Sequence, residues 1–187
     1  MLLAPNLAMP AVAQGTGEYK GDACVAAVTS AIGLGYRNID TAHEYGNQAQ
    51  VGQAVRAALA NASLGRKRSD LITKVEGGLT AAETAKRLAA DVSLLGLEGP
   101  LDLVLLHFPK AAPFKSMEET VQEQWRAIVD FVQPDGARGA GVSQFCQECL
   151  GYLDGAGATG PHARPALHQF GRHVGVGIDP QGIAPKE

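Results

Sequence analysis

The feature that most constrains this fold is a regular alternation of strand-like and helix-like segments joined by short connections. Short β-rich runs such as 70–75 (DLITKV) are followed by helical stripes such as Leu88, Val92 and Leu95. Capping boxes at Thr80–Glu83 and Ser116–Glu119 mark the starts of two of these helices. Alternation of this kind predicts a parallel sheet, either doubly wound or curled into a barrel.

Glycine spacing separates these two architectures. No GxGxxG run follows the first strand-like segment, as a doubly wound dinucleotide-binding fold would need. The glycines of 175–182 (GVGIDPQG) lack that spacing and follow the last strand-like run, so residues 174–187 are predicted to form an irregular tail. We therefore expect one α/β domain over 1–187, an incomplete (β/α)8 TIM-barrel type with about six strands.

Composition excludes several classes of protein. The 187 residues are 45% hydrophobic, enough for one domain with a core. A net charge of -3 gives no electrostatic case for a nucleic-acid partner or an anionic membrane. No apolar run reaches the roughly 18 residues that span a bilayer, and residues 1–14 lack the basic start of a secretory signal. An odd count of three cysteines favours a reducing compartment, so we expect a cytoplasmic protein.

Polar side chains stand at the ends of successive strand-like runs. Asp40, Lys74 and His107 end three of them, and Tyr45 follows Asp40 by five residues. Singly, each has an ordinary structural explanation, such as a solvated lysine or a hydrogen-bonded core histidine. The carboxyl ends of barrel strands converge on one mouth, where active sites lie, so together they indicate such a site. The later strand-like runs end in Ser143, Gln144 and Gln169.

Four segments resemble the aldo-keto reductase family. Residues 31–55 (AIGLGYRNIDTAHEYGNQAQVGQAV) resemble its first signature, with Gly-Tyr-Arg-x-Ile-Asp-Thr-Ala followed by Tyr-Gly-Asn. Residues 103–109 (LVLLHFP) resemble its Leu-x-His-Trp-Pro strand, with Phe108 for tryptophan. Residues 139–145 (GAGVSQF) resemble its Gly-Val-Ser-Asn-Phe strand, with Gln144 for asparagine. Residues 9–17 (MPAVAQGTG) resemble its opening segment.

The resemblance implies a catalytic tetrad of Asp40, Tyr45, Lys74 and His107 that reduces an aldehyde or ketone. Tyr45 would donate the proton, and an adjacent Lys74 ammonium is expected to lower the pKa of its phenol from near 10. Asp40 would hold Lys74 charged and in place. His107 would hydrogen-bond the carbonyl oxygen and orient it. The direction of the His43 imidazole is left open.

The resemblance also implies the cofactor and the residues that hold it. Hydride would come from NADPH, with NADH possible, to a small-molecule carbonyl substrate. A nicotinamide carboxamide needs both donors and acceptors, which serine and glutamine side chains supply. The implied cofactor-binding residues are Gly15, Thr16, Asp40, Ser143, Gln144 and Gln169.

The substrate pocket departs from the family pattern. The family usually has tryptophans at the positions of Gly17, Glu76 and Phe108. Glu44 lies beside Tyr45, at a position expected to line the pocket. Replacing apolar walls with carboxylates favours more polar substrates. The expected substrate-binding residues are Gly17, Glu44, Tyr45, Glu76, His107 and Phe108.

Three features of the family are not found after Gln169. They are its last two strands, its Ser-Pro-Leu strand end and the Lys-Ser-x-x-x-x-Arg segment that binds the 2′-phosphate. We therefore expect a C-terminally truncated member with a weakened hold on the adenosine end and little preference for NADP over NAD. A non-catalytic binding or interaction protein is the alternative function. Cys146 and Cys149 have CxxC spacing, which leaves a thiol-redox protein as a third possibility. Four zinc ligands cannot be assembled around them, and no metal site is predicted.

Overall fold

A computed structural model describes the backbone of residues 2–4, 7–8, 10–60, 70–156 and 166–167, and side chains within 10–60 and 70–156. Two short strands near the start, β1 (Leu2–Ala4) and β2 (Leu7–Ala8), form an antiparallel pair. The remaining described strands form one six-stranded parallel sheet. They are β3 (Gln14–Gly15), β4 (Asn38–Asp40), β5 (Asp70–Val75), β6 (Leu103–Leu106), β7 (Ala140–Val142) and β8 (Ala166–Leu167).

Helices alternate with these strands as the sequence predicts. Both expected capping boxes are present, with the Thr80 and Ser116 side chains accepting from the backbone nitrogens of Glu83 and Glu119. The N-cap of the first helix is Lys20, and Asp22 lies in its first turn. The helices are α1 (Gly21–Gly33), α2 (Gln48–Ala60), α3 (Ala81–Leu95), α4 (Met117–Asp130) and α5 (Gln147–Gly151).

Strand order confirms the barrel-type expectation. The sheet runs β3-β4-β5-β6-β7-β8, so each strand pairs in parallel with the next one in the chain. A doubly wound sheet would reverse its order at a switch point, whereas a (β/α)8 barrel keeps sequential order. Within the described residues β3 and β8 do not pair with each other, so these strands form an incomplete barrel. The predicted tail 174–187 and Gln169 lie outside the described residues.

The two faces of the sheet have different roles. Ile39, Val75, Val104 and Val142 share an apolar cluster with residues of the surrounding helices, including Trp125 of α4. Successive strand residues point to opposite faces. The residues that alternate with the helix-facing ones therefore point to the inner face of the incomplete barrel. At the carboxyl ends of four strands these inner-face residues are Asp40, Lys74, His107 and Ser143.

None of the described helices is both long enough and apolar enough to span a membrane.

Candidate active site

Lys74 joins the predicted catalytic residues of two neighbouring strands. It is 4% exposed, and its ammonium donates to the Asp40 carboxylate at the end of β4. The same Nζ lies 3.0 Å from the carbonyl oxygen of Thr41 and 3.5 Å from the Tyr45 hydroxyl. Parallel pairing of β4 with β5 sets Asp40 opposite Ile72, two residues before Lys74, which is why the ammonium and the carboxylate meet. Three of the four predicted tetrad residues are therefore in direct contact.

His107 completes the group from the end of β6. Its ring meets the Tyr45 ring edge to face, with the centroids 5.8 Å apart. Its Nδ1 lies 3.0 Å from Oε2 of Glu44, the residue before Tyr45. The imidazole is 8% exposed, whereas Glu44 is exposed at the mouth. The structure thus brings all four predicted tetrad residues together and adds a carboxylate partner for His107 that sequence analysis did not pair.

The electrostatics of Tyr45 contradict the expected shift. Burial and, after it, the carboxylates of Asp40, Glu44 and Glu18 together raise the pKa of the phenol to about 12. The ammonium of Lys74, which lies 3.5 Å from the phenol oxygen, is itself paired with Asp40. Since a buried phenolate beside several carboxylates is disfavoured, Tyr45 holds its proton firmly in this structure. The prediction that Lys74 brings this pKa below its ordinary value is therefore wrong.

Two other groups in the site have shifted pKa values. Burial lowers the pKa of the Lys74 ammonium, and the pairing with Asp40 opposes that shift. Burial and the nearby Glu76 carboxylate raise the pKa of Glu44, against the opposing charges of Lys110 and His43. Perturbed titratable groups that converge in one place are typical of functional sites.

Asn47 fastens the loop after β3 to the loop that carries Tyr45. Its amide nitrogen donates to the carbonyl oxygens of Thr16 at 2.8 Å and Tyr19 at 3.0 Å, and its Oδ1 accepts from the Thr41 hydroxyl at 3.0 Å. Thr16 is buried, and its hydroxyl donates to the Asp40 carbonyl oxygen at 3.1 Å. A Cβ built on Gly17 would lie 3.4 Å from Cζ of Tyr45. The predicted residues Thr16 and Gly17 therefore border the tetrad.

The residues expected to hold a nicotinamide carboxamide follow β7. Ser143 is buried on the inner face, and Gln144 is exposed with a left-handed φ of 55°. Gly15 ends β3 with open space where a Cβ would lie, so none of the described residues fills the position beside it. A hydroxyl and a primary amide supply the donors and acceptors that a carboxamide needs, so the described donor set fits that group. Gln169 lies outside the described residues.

The predicted pocket residues Glu76 and Phe108 flank the tetrad. The Phe108 ring lies 5.3 Å from that of His107, centroid to centroid. Glu76 Oε1 pairs with Nε of Arg87 at 3.2 Å. Its Oε2 is buried without a hydrogen-bond partner among the described residues. An unpaired buried carboxylate oxygen is costly, so this atom is suited to accept from a ligand.

A polar chain behind the pocket was missed by sequence analysis. Asp91 of α3 is fully buried, and its carboxylate lies 2.6 Å from Nδ1 of His43 and accepts from the Thr73 hydroxyl at 2.7 Å. Arg87, which pairs with Glu76, lies 3.2 Å from Nε2 of His43. The available signal was an aspartate between Leu88 and Leu95, on the apolar stripe of its helix. His43, left unassigned by sequence, faces this chain rather than the tetrad.

Comparison with known proteins agrees with this geometry. The Aldo/keto reductase family matches residues 10–169. The chain belongs to this family. It is 34% identical over 161 residues to 2,5-diketo-D-gluconic acid reductase B of Corynebacterium sp. (strain SHS752001), covering 85% of this chain and 53% of the relative. It is 35% identical over 167 residues to morphine 6-dehydrogenase of Pseudomonas putida, covering 88% of this chain and 51% of the relative.

Solved aldo-keto reductase structures share the fold. The crystal structure of Bombyx mori aldo-keto reductase in complex with NADP superposes with a TM-score of 0.70 at 32% identity, covering 84% of this chain and 53% of that one. This aldo-keto reductase chain spans about half the length of the curated relatives it matches.

Proposed function

We propose that this aldo-keto reductase reduces an aldehyde or ketone to the alcohol with NADPH, or with NADH, and that Tyr45 donates the proton. The observation that carries the proposal is the contact of one buried ammonium, Lys74, with both Asp40 and the Tyr45 hydroxyl. Support comes from family membership and from the NADP complex of the Bombyx mori relative.

When bound, the reduced nicotinamide supplies the hydride that adds to the carbonyl carbon. Ser143, Gln144 and Gln169 would hold its carboxamide, with Gly15 and Thr16 along the cofactor. As negative charge develops on the carbonyl oxygen, Tyr45 transfers its phenolic proton to that oxygen. The Lys74 ammonium, 3.5 Å from the hydroxyl, then stabilises the phenolate that remains. Asp40 keeps Lys74 oriented toward the hydroxyl.

His107 would hydrogen-bond the carbonyl oxygen and orient it. Its Nδ1 lies 3.0 Å from Oε2 of Glu44, and this contact holds the imidazole ring in place. Glu44 would therefore act as a positioning residue for His107.

The two pocket carboxylates select the substrate class. Glu44 and Glu76 lie close enough for the charges to interact, and Glu76 Oε2 has no hydrogen-bond partner among the described residues. Carboxylates accept from hydroxyl groups and repel anions. We therefore expect neutral, hydroxylated carbonyl compounds to be preferred over keto acids and other carboxylated substrates.

The test is the carbonyl-dependent loss of nicotinamide absorbance by the purified chain with NADPH. Glyceraldehyde and succinic semialdehyde form a pair of hydroxylated and carboxylated aldehydes. Glyceraldehyde should give the higher kcat/KM. The double variant Glu44→Gln/Glu76→Gln should bring the kcat/KM values of the two aldehydes closer together. Cofactor binding without turnover of any carbonyl would instead support the non-catalytic binding protein.

The proton-donor role predicts that Tyr45→Phe lowers kcat by about 10²- to 10⁴-fold while cofactor affinity stays nearly unchanged, since general acid catalysis contributes that much. Lys74→Met should act on the same step, so the double variant should be far from additive. Tyr36→Phe, a change at an exposed tyrosine, is the matched control and should leave kcat unchanged. Similar rates for Tyr45→Phe and the unaltered chain would refute the assignment.

A further inference from the structure

Two thiols are in contact at the start of α5, one on its N-cap residue and one within the helix. Cys146 and Cys149 are both free, and their sulfur atoms lie 2.7 Å apart. The Cys146 sulfur also accepts from the backbone nitrogen of Cys149 at 3.3 Å. This second hydrogen bond fixes Sγ of Cys146 over the first turn of the helix, so the contact between the sulfurs is held by the backbone.

The two thiols differ in their surroundings. Cys146 is exposed, whereas Cys149 is 8% exposed and belongs to the same apolar cluster as Phe145 and Leu153. Hydrogen bonds from the Cys149 thiol and backbone lower the pKa of Cys146, and burial raises the pKa of Cys149. Thiolates are the reactive form, so an accessible thiol beside a shielded one suits a nucleophile with a resolving partner.

The described residues give this pair no further metal ligands. Within the described parts of the chain, no group of three or more histidine, cysteine or acidic side chains could hold a metal ion. The third cysteine, Cys24, is fully buried on α1, where burial raises its pKa. A CxxC pair whose sulfur atoms are in contact is suited to dithiol chemistry.

We propose that Cys146 and Cys149 form a reversible dithiol–disulfide site that exchanges with low-molecular-weight disulfides. The Cys146 thiolate attacks one sulfur of the small disulfide, forms a mixed disulfide and expels one thiolate. Cys149 then loses its proton, attacks the Cys146 sulfur and expels the second thiolate. Two protein thiols are oxidised, one small disulfide is reduced to two thiols, and two electrons move. This chemistry needs neither the tetrad nor the nicotinamide.

The test equilibrates the full chain in glutathione buffers from fully reduced to mostly oxidised, followed by acid quenching, N-ethylmaleimide labelling in denaturant and mass analysis. Both cysteines fall in one tryptic peptide, 139–172. As oxidised glutathione rises, this peptide should pass from two maleimides to none, with two hydrogens lost and no glutathione kept. Cys24 should stay reduced throughout.

Variants distinguish the attacking thiol, Cys146, from the resolving thiol, Cys149. Cys149→Ala should trap glutathione on Cys146, because no resolving thiol remains. Cys146→Ser keeps a side chain that accepts the helix-capping hydrogen bond, and Cys149 should then take up little glutathione while the chain stays folded by far-UV circular dichroism. Cys24→Ala is the control, and its Cys146–Cys149 pair should be half oxidised at the same glutathione ratio as in the unaltered chain. Maleimide labelling that does not change with oxidant, or glutathione on Cys149 in folded Cys146→Ser, would overturn the proposal. Tyr45→Phe should oxidise normally, so failure of the reductase function would not mimic failure here.

Discussion

The raised pKa of the Tyr45 phenol can be tested at the scale of a single residue. Its pKa is raised to about 12, so it should still be protonated at pH 11, where a free phenol with a pKa near 10 is about nine-tenths ionised. Phenolate absorbance of the unaltered chain and of Tyr45→Phe should be almost equal at pH 11. A clear excess of phenolate in the unaltered, folded chain would contradict the shift.

The same shift links Tyr45 to stability. Because the folded state favours the protonated phenol, its contribution is fully present below pH ~10 and is lost as the pH rises toward about 12. Unfolding of the unaltered chain should therefore become easier over that interval by more than unfolding of Tyr45→Phe. Urea midpoints at pH 9.5 and 11 measure the difference, and parallel midpoints would oppose it.

The hydrogen bonds of the Asp91 carboxylate give a second prediction at the scale of a residue. Its fully buried carboxylate accepts from Thr73 and pairs with His43, so Asp91→Asn leaves one buried partner poorly satisfied. We expect a loss of about 1–3 kcal/mol in the free energy of unfolding, measured by urea titration. Asp130→Asn, on an exposed position of α4, should change it by less than about 0.5 kcal/mol. Equal effects of the two substitutions would mean that the polar chain does not contribute to stability.

At the scale of elements, the close approach of α2 and α3 depends on a glycine. A Cβ on Gly52 would lie 2.1 Å from the carbonyl oxygen of Leu95, at the end of α3. Backbone cannot move aside as a flexible side chain can, so Gly52→Ala should force the two helices apart. We expect a loss of about 1–3 kcal/mol in the free energy of unfolding.

Gly33 supplies the matched control for Gly52. It ends α1, and a Cβ there would meet nothing within 4 Å. Gly33→Ala should be neutral or stabilise by up to about 1 kcal/mol through helix propensity alone. Thermal unfolding of both variants tests the pair. If Gly52→Ala is as stable as Gly33→Ala, the contact with α3 does not limit the packing.

At the scale of the whole molecule, the sheet separates an apolar helix-facing side from an inner face that carries the polar strand ends. A ligand bound to these ends contacts several strands at once and favours the folded state by mass action. NADPH at ~100 times its dissociation constant should add about 2.7 kcal/mol, or roughly 5–10 °C in Tm for a domain of this size.

Differential scanning fluorimetry with NADPH measures that shift, and Ser143→Ala should reduce it if the β7 end holds the carboxamide. Glu148→Gln, an exposed change on α5, is the control and should keep the full shift. No shift with NADPH or NADH at millimolar concentration would argue against cofactor binding by this chain.

The sequence by itself determined the order of strands and helices and the side chains at the strand ends. Both depend on local signals: capping boxes at Thr80 and Ser116, and period-two alternation that sends Lys74 and His107 to the same face. The family signature around Asp40 and Tyr45 is equally local, so it could be read without coordinates.

Only the tertiary structure decided the electrostatics and the long-range pairs. The pKa of Tyr45 depends most on burial and also on the distant carboxylate of Glu18, and no local pattern contains either. The pairs His107–Glu44 and His43–Asp91 join residues 63 and 48 positions apart. Whether Asp91 faces solvent or the sheet depends on how α3 is rotated on β5, and that rotation is set by packing of the whole apolar stripe.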